Sequence, residues 1–113
     1  MKDLGYRWEA FDITTDDGYI LTTFHVTHNK NKVVKPDKSK NPVMLMHGLG
    51  CDATSWVDPG WNRVEQSLPL HLFDRGFDVW MASNRGTKYC QNHTSLAVDD
   101  PEFWNFSWAE MGL

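Results

Sequence analysis

The chain has 113 residues, 41% of them hydrophobic, and a net charge of −4. This length suffices for one domain with an apolar core but not for two. The acidic balance argues against recognition of nucleic acid or an anionic membrane surface, which requires clustered cations facing phosphates.

Six tryptophans in so short a chain need a thick core or an apolar surface to cover them, and they point to a missing partner. Cys51 and Cys90 have neither CxxC nor metal-ligand spacing, so a disulfide, two free thiols and an unrelated pair all stay open. The opening residues lack an apolar leader core and no stretch approaches the length of a membrane span. As written, the sequence carries no secretory or membrane address. The sequons at Asn92 and Asn105 are no more than this composition yields by chance.

In chain order, the first element expected is an antiparallel hairpin over about residues 10–28. Phe11 and Ile13 alternate with polar residues, Asp16-Asp17-Gly18 signals a turn, and Ile20, Thr22, Phe24 and Val26 share one face. Five lysines (Lys30, Lys32, Lys35, Lys38, Lys40) then make residues 29–41 a solvated loop, with no interleaved aromatic residue to suggest a nucleic-acid site. Val43 to Met46 is a continuous apolar run between Pro42 and Gly48, the pattern of a central strand buried on both faces of a parallel sheet.

A helix is expected from Ser67 to Arg75, with Ser67 as N-cap, Pro69 in the first turn and Gly76 at C′. Phe77 to Ala82 reads as the next strand, which completes a right-handed βαβ unit over about residues 43–82. A loop with Arg85-Gly86 follows, and Ala109-Glu110-Met111 opens another helix. Trp80, and Trp104 with Trp108 four residues on, read as core or helix-packing residues. A helix that has only begun has no length over which to bury an apolar face, so the chain is expected to be part of a larger fold.

The chemistry centres on His47-Gly48-Leu49-Gly50. Glycines after a buried strand allow a tight turn that leaves a backbone N–H free for a developing oxyanion. Leu49 is the candidate donor, with His47, Gly48 and Gly50 setting the turn. His47, Asp52 and Ser55 lie close in sequence, but a histidine pinned at a strand end braces a loop more readily than it serves as a base. His25 and His28, three apart on a strand, face opposite ways and make no ligand pair. Trp56 either lines an acyl pocket or fills space beneath the loop. Arg85 binds a carboxylate or ties its loop in place, and the neighbouring Gly86 favours the tie.

Several segments in order carry a resemblance to a known family. They are Gly5-Tyr6 with Thr15-Asp16-Asp17-Gly18-Tyr19-Ile20-Leu21, Val43-Met44-Leu45-Met46-His47-Gly48-Leu49, Ser55-Trp56-Val57 and Gln66-Ser67-Leu68-Pro69-Leu70. They continue with Gly76-Phe77-Asp78-Val79-Trp80, Asn84-Arg85-Gly86-Thr87-Lys88-Tyr89 and Phe103-Trp104-Asn105-Phe106-Ser107-Trp108-Ala109-Glu110-Met111. With these the chain resembles the amino-terminal part of the acid lipases, the gastric and lysosomal type.

The resemblance implies an incomplete α/β-hydrolase fold and, in the full-length parent, hydrolysis of triacylglycerol or sterol esters by a serine–histidine–aspartate triad without a cofactor or metal. It places only the oxyanion segment in this chain, with Leu49 at the amide-donor position. No glycine here is followed by serine two residues on and glycine four residues on, so the nucleophile elbow is absent and the chain is expected to be inactive as given. The family has a second bulky residue where Gly50 stands, and the order Asn-Ser-Arg-Gly where this chain has Ser83-Asn84-Arg85-Gly86. Its members are secreted, lysosomal or associated with lipid stores. Two other readings stay open: a non-catalytic lipid- or protein-binding module, self-associating through an exposed sheet edge, and a different α/β-hydrolase esterase.

Overall fold

A computed structural model describes residues 5–57 and 67–112. Residues 1–4, Trp61 and Gln66, which entered the sequence reading, lie outside them. Strands β1 (Arg7–Thr14) and β2 (Tyr19–Asn29) pair antiparallel. Their turn is closed by the Gly18 N–H donating to the Thr15 carbonyl at 3.0 Å, with Gly18 at φ +94°. Strand β2 continues through Lys30 and Asn31, at φ +50° and +60°, into β3 (Lys32–Val33). Positive φ at both central residues is the turn geometry that matches strand twist in two-residue hairpins. The first part of the lysine segment is therefore a short paired strand and not loop, a correction to the sequence expectation. The remaining lysines stay on the surface, and Lys40 donates to the Arg75 carbonyl and lies over the Phe77 ring.

Strand β4 (Val43–Met46), helix α1 (Leu68–Asp74) and strand β5 (Val79–Ala82) follow, with β4 and β5 parallel in the register Val43↔Val79 to Met46↔Ala82. Ser67 precedes the helix with extended dihedrals, yet its side chain caps no helix N–H and donates instead to the Trp56 carbonyl at 3.0 Å. At the other end Gly76 takes φ +90°, the left-handed geometry that ends many helices. Strand β6 (Asn92–His93) joins the start of β2, and helix α2 (Trp108–Met111) is opened by a capping box between Ser107 and Glu110.

The main path of the sheet runs β1-β2-β5-β4. The expectation that β4 is central and covered on both faces is thus overturned: among the described residues it forms the sheet edge, with Met44 67% and Met46 42% exposed. Paired residues share a face and successive ones alternate. Val26, Phe24, Val79, Met81, Val43 and Leu45 therefore point to one side, where Val26, Val79 and Met81 join Tyr6, Ala53, Leu70 and Phe73 in the core. Phe11 and Ile13 pair with Thr23 and Leu21 and so lie on the opposite, largely open face.

There His25 stacks on Trp80, with ring centroids 4.0 Å apart, and meets Asp78 at 2.6 Å. Trp80 accordingly lies half covered on the outer face, not in the core. Trp104 and Trp108 do not share a helix: the first closes a 3-10 turn over Pro101–Trp104, the second starts α2, and both are exposed. Proximity in sequence misled here because residues 105–107 interrupt the helical repeat.

Candidate functional site

Two loops leave the carboxyl ends of the parallel pair β4 and β5, the position where open parallel sheets bind ligands. The first forms a β-turn in which the Cys51 N–H donates to the Gly48 carbonyl at 3.2 Å, with Gly50 third in the turn at φ +73°. That position needs glycine, and the second position leaves its own N–H outside the turn's hydrogen bond. The second position is Leu49, which is 85% exposed and whose N–H has no hydrogen-bond partner among the described residues. Gly48 has no positive φ, and a Cβ there would meet nothing within 4 Å. The conformational demand thus falls on Gly50.

His47 spans both loops. Its Nε2 accepts the backbone N–H of Asn84 at 3.0 Å, and its Nδ1 lies 2.8 Å from the Gly48 carbonyl. A second tie runs from the Ala53 N–H to Ser83 Oγ at 3.1 Å, in buried surroundings. Sequence reading missed Ser83 and Asn84 as partners, because a polar residue after a strand signals only a loop.

The second loop is anchored at Arg85. Its buried guanidinium donates to both carboxylate oxygens of Asp17, at 2.5 and 3.2 Å, and to the Glu110 carbonyl at 2.7 Å. It also lies 4.1 Å above the centroid of the Tyr19 ring. Arg85 therefore joins the β1–β2 turn, the loop after β5 and α2, which is the tie that its sequence context favoured. The hydrogen bonds from Arg85, then that from Thr15, hold the Asp17 carboxyl below the usual aspartate range. Burial raises the Cys90 thiol, and Cys90 and Cys51 are both free.

Between the loops lies a cleft of about 310 Å³, lined by residues 47–52 and 84–88 together with Trp108 and Met111. Asp52 sits in it with its carboxyl lowered, first by the Thr54 hydroxyl, then by the Thr54 amide and the charge of Lys88. With the carboxylate of Asp52 taken by Thr54 and the ring nitrogens of His47 by Gly48 and Asn84, no triad with Ser55 is assembled. His25 and His28 sit within β2, and the described residues contain no cluster of three metal-ligating side chains.

A second, apolar hollow of about 230 Å³ lies on the core side between Trp8, Phe24, Ala53, Thr54, Val57, Met81 and Tyr89. Trp56 lines neither space. It packs against the core, and its buried indole N–H has no partner among the described residues.

Known proteins share sequence with this chain. Residues 1–60 match the family described as a partial alpha/beta-hydrolase lipase region. Triacylglycerol lipase 2 of Arabidopsis thaliana is 40% identical over 95% of the chain and 25% of its own length. Lipase member M of Mus musculus is 39% identical over 98% and 25%. Lysosomal acid lipase/cholesteryl ester hydrolase of Homo sapiens is 40% identical over 95% and 26%. The chain thus spans about a quarter of the length of the curated relatives it matches. With a parallel β4–β5 pair, an antiparallel hairpin beside it and a glycine turn at the strand end, it has the amino-terminal portion of an α/β-hydrolase fold and belongs to the α/β-hydrolase lipase family.

Proposed function

We propose that residues 47–50 form the oxyanion-hole loop of a neutral-lipid ester hydrolase, with the Leu49 N–H as donor and His47, Gly48 and Gly50 as its support. The observation that carries this reading is the unengaged Leu49 N–H beside a cleft at the carboxyl ends of two parallel strands. The names of the relatives suggest triacylglycerol or sterol esters as substrates. The reading calls for no cofactor or metal, because the donor is backbone. The 113 residues alone do not turn over esters, since no Gly-x-Ser-x-Gly occurs among them. Nucleophile, base and second donor come from polypeptide that the hairpin, the βαβ unit and the start of α2 support.

Two experiments test this. A fluorophosphonate probe leaves the purified chain unlabelled, and covalent labelling at any serine overturns the claim of inactivity. In a lipase-length chain carrying this segment, Leu49→Pro removes the donor at a turn position that suits proline and lowers kcat by about 10²–10³-fold, while Leu49→Ala stays near wild type. Equal activities for the two variants exclude Leu49 as donor.

The exposed outer face with Phe11, Ile13, Met44 and Met46, next to the open edge of β4, favours a second reading as a binding module that pairs with another chain. A monodisperse, cooperatively unfolding species in light scattering and denaturation supports it, and soluble aggregate speaks against it.

A further inference from the structure

The two hydrogen bonds of the His47 ring require opposite roles. A backbone N–H can only donate, so Nε2, 3.0 Å from the Asn84 nitrogen, must be an unprotonated acceptor. A carbonyl can only accept, so Nδ1, 2.8 Å from the Gly48 oxygen, must carry the proton. Only one form of the ring, neutral with its proton on Nδ1, satisfies both. A second proton on Nε2 would face the Asn84 N–H, and that bond would be lost.

We propose that His47 is a positioning residue held as the Nδ1–H tautomer, and that its protonation releases the Asn84 amide and unties the two walls of the cleft. His47 thereby acts as an acid-sensitive latch between the turn that presents Leu49 and the loop anchored by Arg85. The tie from Ala53 to Ser83 contains no titratable group and persists, so the walls loosen at the mouth and not at the base. The charged groups lining the cleft are Asp52 in the loop of His47, and Arg85 and Lys88 in the loop opposite. Arg85 is engaged by Asp17, and α2 presents Trp108 and Met111, which carry no charge. The consequence for catalysis rests on the oxyanion reading above, but the latch does not.

Nuclear magnetic resonance on the intact chain tests it. Ring nitrogen shifts at about pH 8 should show the proton on Nδ1. The protection factor of the Asn84 amide against hydrogen exchange should fall about threefold to tenfold on acidification, once the ring nitrogen shifts show that His47 has taken up its second proton. In His47→Gln a side-chain oxygen can accept the Asn84 N–H without titrating, so protection becomes independent of pH; in His47→Leu it is low throughout. If His47→Leu does not fold, the wild-type titration and His47→Gln carry the test. A proton on Nε2 at about pH 8, or Asn84 protection unchanged through the His47 titration, overturns the proposal. Neither result depends on Leu49 binding an oxyanion, so a failed latch and a failed oxyanion reading are told apart.

Discussion

The loops after β4 and β5 leave neighbouring parallel strands and wall the same cleft, yet they are built in opposite ways. Residues 48–51 are exposed, and Leu49 reaches 85%. In the loop after β5, Ser83, Arg85 and Cys90 are buried at 1%, 3% and 0% exposure. The internal hydrogen bonds of the exposed loop close its turns but leave the Leu49 N–H unengaged, and its attachment to the rest of the sheet comes from a neighbour. The buried loop supplies it, through Ser83 Oγ and the Asn84 N–H on one side and the contacts of Arg85 on the other.

Glycine substitutions give the sharpest contrast, and the largest expected effect. Gly86, at φ +82°, would place a Cβ 2.6 Å from the Trp104 ring, whereas Gly50, at φ +73°, has open space around it. Gly86→Ala combines left-handed strain with overpacking and should cost about 3 kcal/mol. Gly50→Ala, with the conformational term alone, should cost about 1 kcal/mol. Urea denaturation of both variants measures the difference, and equal costs would mean that the two loops are equally constrained.

Asp17→Ala ranks next. It leaves the buried Arg85 guanidinium without its carboxylate and should cost about 2–3 kcal/mol, less than for a fully buried pair because water reaches the aspartate. The pH dependence follows from the depressed carboxyl. Asp17 contributes stability above the usual aspartate range, and the contribution is lost as pH falls through its lower folded value. Acid denaturation of wild type and Asp17→Asn should therefore converge at low pH; a gap that widens as pH falls contradicts the pairing.

Ser83→Ala removes the acceptor of the Ala53 N–H and should cost about 1–2 kcal/mol. Its informative readout is hydrogen exchange at Ala53, which should accelerate while Asn31, in the β2–β3 turn with its N–H donating to the Gly5 carbonyl, does not. Uniform acceleration would make Ser83 a general packing residue and not a stitch between the loops.

Elements set by local chemistry were legible before any coordinates. The period-2 pattern around Asp16-Asp17-Gly18, the apolar run Val43–Met46, the α1 segment ending at Gly76 and the turn at Gly50 all depend on residues within one or two turns of each other, and the structure contains each. The helix start at Ala109-Glu110-Met111 is likewise local, whereas the Ser107–Glu110 capping box that opens it emerged from the structure.

The tertiary structure alone decided the rest. Whether Val43–Met46 is central or an edge depends on which strands lie beside it, and Phe11 faces outward because of a register fixed across the hairpin. Arg85 finds Asp17 at a separation of 68 residues, and His47 finds Asn84 at 37. Such contacts arise when the sheet brings distant segments together, where burial makes a charge need its partner and a backbone amide need its acceptor. The sequence alone determined a glycine turn at the end of a strand; only the packed sheet decided what holds that turn still.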